Sequence, residues 1–394
     1  MYKVFLVLSI ICLASVGSVA QDWQAAIDST WGAGMTTEDK LALFDDFWTA
    51  VDEEYAGFQH LDVDWDAMYA YRDTVAAGVS RGRFYGIISH MWFSLLERHT
   101  ALFDNEVAQT DLEPGVPLFV LSGYNDRSPI NHFGAGLTLA TDSSLLVYQV
   151  AEDHPMGLEP GDLVLGYDGL LWKDQYPLLL EAQLPLARTS GAWLNWGSSE
   201  ESMEHALLSS AGMNWHLFDT LDIVKYESGD TLHYATSLLA GEELVCEAFE
   251  NLPVPGVPRP TRMGDNVSWG VIEGTQIGYI YVITTIRSWM STLFTNAVSE
   301  LASIDSLQGL IIDLRTNHGG DIDGLDGGYS QLFGLDEDRI KFYQRDPSYP
   351  DDHFALEEIN CYTPFEADPG WFEKPISLLV GPHCVSGGDY ASLM

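Results

Sequence analysis

Apolar positions recur at helical intervals through residues 36–103. TTEDKLALFDDFWTAVDEEY predicts a helix capped by Thr37, with acids in its first turn. DWDAMYAYRDTVAAGV predicts a second, with Asp64 as its cap. RFYGIISHMWFSLLERH predicts a third, placing Phe84, Ile87, Ile88, Met91, Trp92 and Leu95 on one broad face. These segments make a small helical bundle, whose Trp and Tyr residues are most simply core.

From about 116 to 242 the period shortens, and β-like runs alternate with Gly, Pro and Asp turns. LLVYQVAE reads as a strand, GLEPGDLVLGYDG as turn, strand and turn, and LDIVKYESGDTLHYATSLL as a hairpin about Ser228 and Gly229. Residues 199–212 fit one helix between them. NLPVPGVPRPTRMGD carries four prolines and reads as a linker. After it come a buried strand (IGYIYVITT), a helix over 288–304, a second strand (LQGLIIDLR) and a third (KPISLLVG). Short apolar runs bounded by turns suit a sheet covered on both faces. The fold class is α/β, in a multidomain α+β chain: 21–115 helical, 116–245 β-rich, 246–394 an α/β core.

Charge narrows the partners. The 394 residues hold 58 Asp and Glu against 18 Lys and Arg, a formal charge of −40. Such a surface repels phosphate backbones and anionic membranes, so nucleic acid is excluded as a partner. The opening MYKVFLVLSIICLASVGSVA has a basic Lys3, an apolar run over 4–16, and Ser18 and Ala20 at the small positions of a cleavage site. Residues 1–20 therefore read as a secretory signal, cleaved before Gln21, and the mature protein as exported, periplasmic or extracellular, with no membrane span. Cys12 leaves with the signal. Cys246, Cys361 and Cys384 remain, which allows one disulfide of open connectivity and shows no metal spacing.

Two glycine loops carry the chemistry. GLIIDLRTNHGGD (309–321) runs a buried strand into Asn317, His318, Gly319 and Gly320. Glycines there permit a tight turn and expose N–H groups that can receive an oxyanion, while Asp313 and Arg315 can brace the strand end. LLVGPHCVSGGDYASLM (378–394) places Ser386 where a strand turns into a helix, followed by Gly387, Gly388 and Asp389. A serine there gains from the positive helix end. The plainer reading makes Ser386 an N-cap and Asp389 the acid of a capping box, and both readings can hold together. A third segment, HFGAGLTLATDSSLLVYQVAEDHPMGLEPGD, has the look of a PDZ module. The loop N–H groups of Phe133, Gly134, Ala135 and Gly136, leading into Leu137, would take a peptide carboxylate while the next strand pairs with the peptide. His99, in LLERHT, is a helix-end cation, a satisfied core group or a general base.

The order LLERHT, GLEPGD, GYIYV, DLRTNHGG, VSGGD resembles the C-terminal processing and tricorn-type serine peptidases over roughly residues 36–394. The resemblance implies a helical N-terminal part, an inserted PDZ module and an α/β catalytic core. It implies Ser386 as nucleophile, with Gly387 N–H and that of Gly319 or Gly320 as the oxyanion hole. Phe133 to Leu137 would hold the substrate's carboxyl end. C-terminal processing members take their base from a lysine downstream of the serine, and tricorn-type members from a histidine in the N-terminal part. No Lys follows Ser386 here, and His99 stands at the tricorn-type position. The chain stops eight residues after Ser386, which predicts an incomplete core or a shortened, inactive relative.

The leading expectation is thus an exported serine endopeptidase cutting proteins or peptides near their C-termini, without metal or organic cofactor. The alternative is an inactive PDZ-containing relative that binds peptides or another ligand. A calcium loop at DIDGLDGG is the weaker competitor, because it lacks the full EF-hand pattern.

Overall fold

The computed structural model describes residues 23–97, 100, 102, 104, 106–107, 133–140, 144–186, 211, 217–239, 253–260, 266–285, 288–317, 319–334, 341–359, 366–368, 370, 372–381 and 384–393. The leader, His99, His318, His383, Cys246, Cys361 and the helix expected over 199–212, apart from Ala211, lie outside them. The described chain forms two compact units that divide near residue 248. Among the described residues no helix is long and apolar enough to cross a membrane.

The first unit opens with helix α1 (residues 23–31) and α2 (Thr37–Glu54). Thr36, not Thr37, caps α2, its hydroxyl accepting from the Asp39 N–H at 3.1 Å. The Thr-Thr pair made the two indistinguishable by residue type, and only the extended backbone of Thr36 decides. Asp64 caps as expected, accepting from Ala67 N–H at 2.9 Å. The helix it begins is broken at residues 69–70 into α3 (Trp65–Met68) and α4 (Tyr71–Ala76). In α5 (Arg81–Ser94) the whole predicted apolar face is buried. Gly86 lets α5 approach the backbone, since a Cβ there would stand 1.9 Å from the Gln183 carbonyl oxygen.

That carbonyl follows an antiparallel sheet in the same unit. Its strands are β1 (Ala135–Leu139), β2 (Leu145–Val150), β3 (Leu163–Tyr167), β4 (Leu170–Leu171), β5 (Thr220–Val224) and β6 (Thr231–Ala235). The order is β1-β2-β3-β5-β6, with β4 paired to β3 and helix α6 (Trp172–Glu181) after it. The hairpin about Ser228 and Gly229 forms as β5–β6, with Gly229 at φ 72°. In GLEPGD the fully buried Asp162 accepts the Glu159 and Tyr226 N–H groups, each at 2.9 Å, and pairs with Lys225. A buried carboxylate with an ion partner and two N–H donors is a satisfied one.

In the second unit β7 (Val267–Val271), β8 (Ile277–Val282), helix α7 (Ser288–Ala302), β9 (Gly309–Asp313), a short helix α8 (Asp326–Tyr329), a β10–β11 hairpin (Phe342–Arg345, Leu356–Ile359), β12 (Ile376–Leu379) and α9 (Gly387–Leu393) follow in order. The sheet runs β12-β9-β8-β7, parallel across β12, β9 and β8, with β7 antiparallel. One face buries Ile280, Val282, Phe294, Val298, Leu310 and Ile312 in a single cluster. The opposite face buries Tyr279 and Tyr281 with Val257. The proline-rich stretch is therefore packed rather than a free linker: a Cβ on Gly256 would stand 2.5 Å from the Val271 carbonyl oxygen. The expected cover is incomplete at β12, where Ile376, Leu378 and Val380 are exposed at the sheet edge.

Candidate active site

Parallel pairing brings the two glycine loops together. Leu379 lies opposite Asp313 in the β12–β9 register, so both strands release their loops at the same end of the sheet. Open parallel sheets bind ligands beyond the carboxyl ends of their strands. At the root of the first loop, Arg315 binds the buried Asp313 through Nε at 2.9 Å and a terminal nitrogen at 2.8 Å. The Tyr279 hydroxyl donates to the same carboxylate at 2.7 Å. The brace expected of Asp313 and Arg315 is present, with Tyr279 as a third member. Burial and that hydrogen bond raise the Tyr279 pKa, and the paired carboxylate raises that of Arg315.

Asn317, fully buried, joins the loops. Its side-chain amide donates to the Val282 carbonyl at 3.1 Å and accepts the Gly319 N–H at 2.8 Å. Its backbone carbonyl accepts the Val385 N–H at 3.0 Å. The Gly319 carbonyl accepts both the Thr285 N–H and the Thr284 hydroxyl, each at 2.8 Å. Gly319 is thus held at both ends of its peptide unit, with φ at 85°. The Gly319 N–H is therefore engaged by the Asn317 side chain. Gly320 and Gly387 retain N–H groups that donate to no described residue. They lie together, because a Cβ on Gly387 would stand 3.0 Å from the Gly320 nitrogen.

Ser386 sits at the start of α9 with φ at 54°, in the left-handed region that a serine occupies at a cost. Its N–H donates to the Asp389 carboxylate, one half of the capping box. Burial nevertheless pushes the Asp389 pKa up to about 6. Cys384, buried behind the loop and free, has its thiol raised to about 12 by burial, with the nearby carboxylates of Asp389 and Asp313 adding to it.

Residues 276–393, which span both loops, match the family model Peptidase family S41. Over these residues the second unit is similar to peptidase family S41. That similarity supports a serine-type peptidase, as the order of its motifs implied. The fold is also similar to that of solved structures of mature CPAF. Mature CPAF aligns with a TM-score of 0.56 and 13% identity, over 91% of this chain and 81% of that one. CPAF complexed with lactacystin gives 0.56 and 14%, over 90% and 81%. The photosystem II D1 C-terminal processing protease gives 0.37 and 17%, over 91% and 78%. No curated protein matches the sequence significantly.

Of the expected S41 residues, Ser386, Gly387, Gly319 and Gly320 converge in this unit. Phe133 to Leu137 lie in the first unit and are buried. There the Phe133 carbonyl bonds His154 Nε2 at 2.7 Å, and the Gly134 carbonyl accepts the Ala151 N–H at 2.7 Å. His154 Nδ1 accepts the Met156 N–H at 3.2 Å, so its proton resides on Nε2, and burial lowers its pKa. Among the described residues β1 is an edge strand. Asp321 and Asp326 of the acidic loop belong to no three-ligand cluster among the described residues. Asn317 entered the motif only as a loop residue, and Thr284 and Thr285 only as the end of a strand, with no role given to either. Two threonines ending a buried strand were the available signal.

Proposed function

We propose that the protein is an exported serine endopeptidase that acylates itself on Ser386 and cuts proteins or peptides near their C-termini. The observation that carries this is the left-handed Ser386 beside the N–H groups of Gly320 and Gly387, which donate to no described residue. A base takes the Ser386 proton, and Oγ attacks the scissile carbonyl carbon. The carbonyl oxygen becomes an oxyanion received by the two N–H groups. The C–N bond then breaks, the amine leaves with the proton, and water hydrolyses the ester. His99 is the base within these residues by resemblance to tricorn-type members, and a lysine beyond Met394 is the alternative. The N–H groups of Phe133 to Leu137 would receive the substrate carboxylate, with the β1 edge open to a peptide strand. Export rests on the leader, and mature protein beginning at Gln21 would support it.

The test is a fluorophosphonate probe, with the adduct located by mass spectrometry. Labelling of Ser386, and loss of both labelling and hydrolysis but not peptide binding in Ser386→Ala, is the expected result. Peptide binding by a wild type that takes no label assigns the protein to the non-catalytic alternative.

A further inference from the structure

Thr285 presents a polar atom with no partner in the middle of this loop arrangement. Its residue is 1% exposed, and its hydroxyl oxygen is buried without a hydrogen bond. The backbone on both sides is fully engaged: Thr285 N–H donates to the Gly319 carbonyl at 2.8 Å, and Thr285 carbonyl accepts the Asp321 N–H at 3.0 Å. The side chain is confined as well. A Cβ on Gly324 would stand 2.8 Å from the Thr285 Cβ, and a Cβ on Gly387 would stand 2.7 Å from its Oγ1. That second point is also 3.0 Å from both the Gly320 nitrogen and the Gly320 carbonyl oxygen. The orphan hydroxyl and the Gly320 peptide therefore flank Gly387, the residue next to Ser386.

A buried hydroxyl left unpaired costs free energy that an isosteric valine would not. Such a group in a native structure marks a place where a water, an ion or a substrate atom supplies the missing partner. The hydroxyl can donate a hydrogen bond to a partner that sits against Gly387 and Gly320. An oxyanion has that character, and its strongest hydrogen bonds form only as its charge develops. We propose that the Thr285 hydroxyl is a third oxyanion donor, completing the hole formed by the Gly320 and Gly387 N–H groups. This rests on the acyl-enzyme reading of Ser386. No atom is transferred through Thr285, because its proton stays on Oγ1 throughout.

The experiment compares wild type, Thr285→Val and Thr285→Ser in the full chain, by fluorophosphonate labelling rate at Ser386, peptide kcat and KM, and Tm. Thr285→Val is expected to lower kcat and labelling rate about 10- to 100-fold, with KM within about twofold and Tm equal or higher. Thr285→Ser is expected to stay within about threefold of wild type, because it keeps the donor. The inference is overturned if Thr285→Val labels and turns over like wild type. It is equally overturned if Thr285→Val loses rate together with several degrees of Tm, and Thr285→Ser does not restore it, since that marks a packing role. A wild type that takes no label at Ser386 removes the acyl-enzyme reading itself, a result distinct from either.

Discussion

Gly319 and Ser386 are packed so closely that a Cβ on the glycine would stand 2.7 Å from the Cβ of the serine. The same added atom would meet the Val385 carbonyl oxygen at 2.9 Å, and the backbone there has φ at 85°. Gly319→Ala therefore brings a clash and a strained dihedral to one residue. We expect it to cost about 1–3 kcal/mol of stability, and to abolish Ser386 labelling even below the melting transition. Tm and probe labelling on the same preparation check this. Unchanged labelling would show that the loop yields without disturbing the serine.

Ser386 itself holds a left-handed backbone. Glycine adopts that region freely, so Ser386→Gly is expected to gain about 1 kcal/mol of stability while losing hydrolysis. Denaturant unfolding compared with Ser386→Ala measures it. The alanine variant keeps the strain and should gain nothing from this source.

Asp389 predicts a pH dependence with a definite sign. Its folded pKa, about 6, lies above the ordinary 3.8, so the folded state binds this proton more tightly than the unfolded chain. The favourable contribution is complete below about pH 4 and is lost as pH rises through 6. Asp389→Asn keeps an oxygen for the Ser386 N–H and removes the buried charge. It should raise stability by about 1–2 kcal/mol at pH 8, allowing for the carboxyl's partial exposure, and by much less at pH 4. Paired melts at the two pH values test this, and a gain independent of pH would assign it to something other than ionisation.

Cys384 should be inert while the protein is folded. Its thiol is buried and its pKa is pushed to about 12, so the reactive thiolate is scarce at pH 8. Iodoacetamide should modify the peptide containing Cys384 only after denaturation, as peptide mass spectrometry would show. Native-state alkylation would mean that the loop before Ser386 opens readily.

The elements were legible because periodicity and capping are local properties. Phe84, Ile87, Ile88, Met91, Trp92 and Leu95 announce a buried helical face by spacing alone, and all are buried. Ser228-Gly229 announces its hairpin by turn chemistry. The brace between Asp313 and Arg315, two residues apart, is local in the same way. Even the capping relation of Ser386 and Asp389 needs only three residues of chain.

The division of labour among the glycines was not legible, because their partners come from other strands. Gly319 loses its N–H to Asn317, and Asn317 is oriented by the Val282 carbonyl on β8. The Gly320 N–H donates to no described residue, while its neighbours Gly319 and Asp321 bond Thr285. Thr285 becomes an orphan only when Gly387, about a hundred residues later in the chain, comes to lie against its hydroxyl. Local pattern determines which segments are strands, helices and loops, since backbone geometry repeats over a few residues. Which donor in a loop remains free to meet a substrate depends on every acceptor around it, and those acceptors assemble only when β12 pairs with β9.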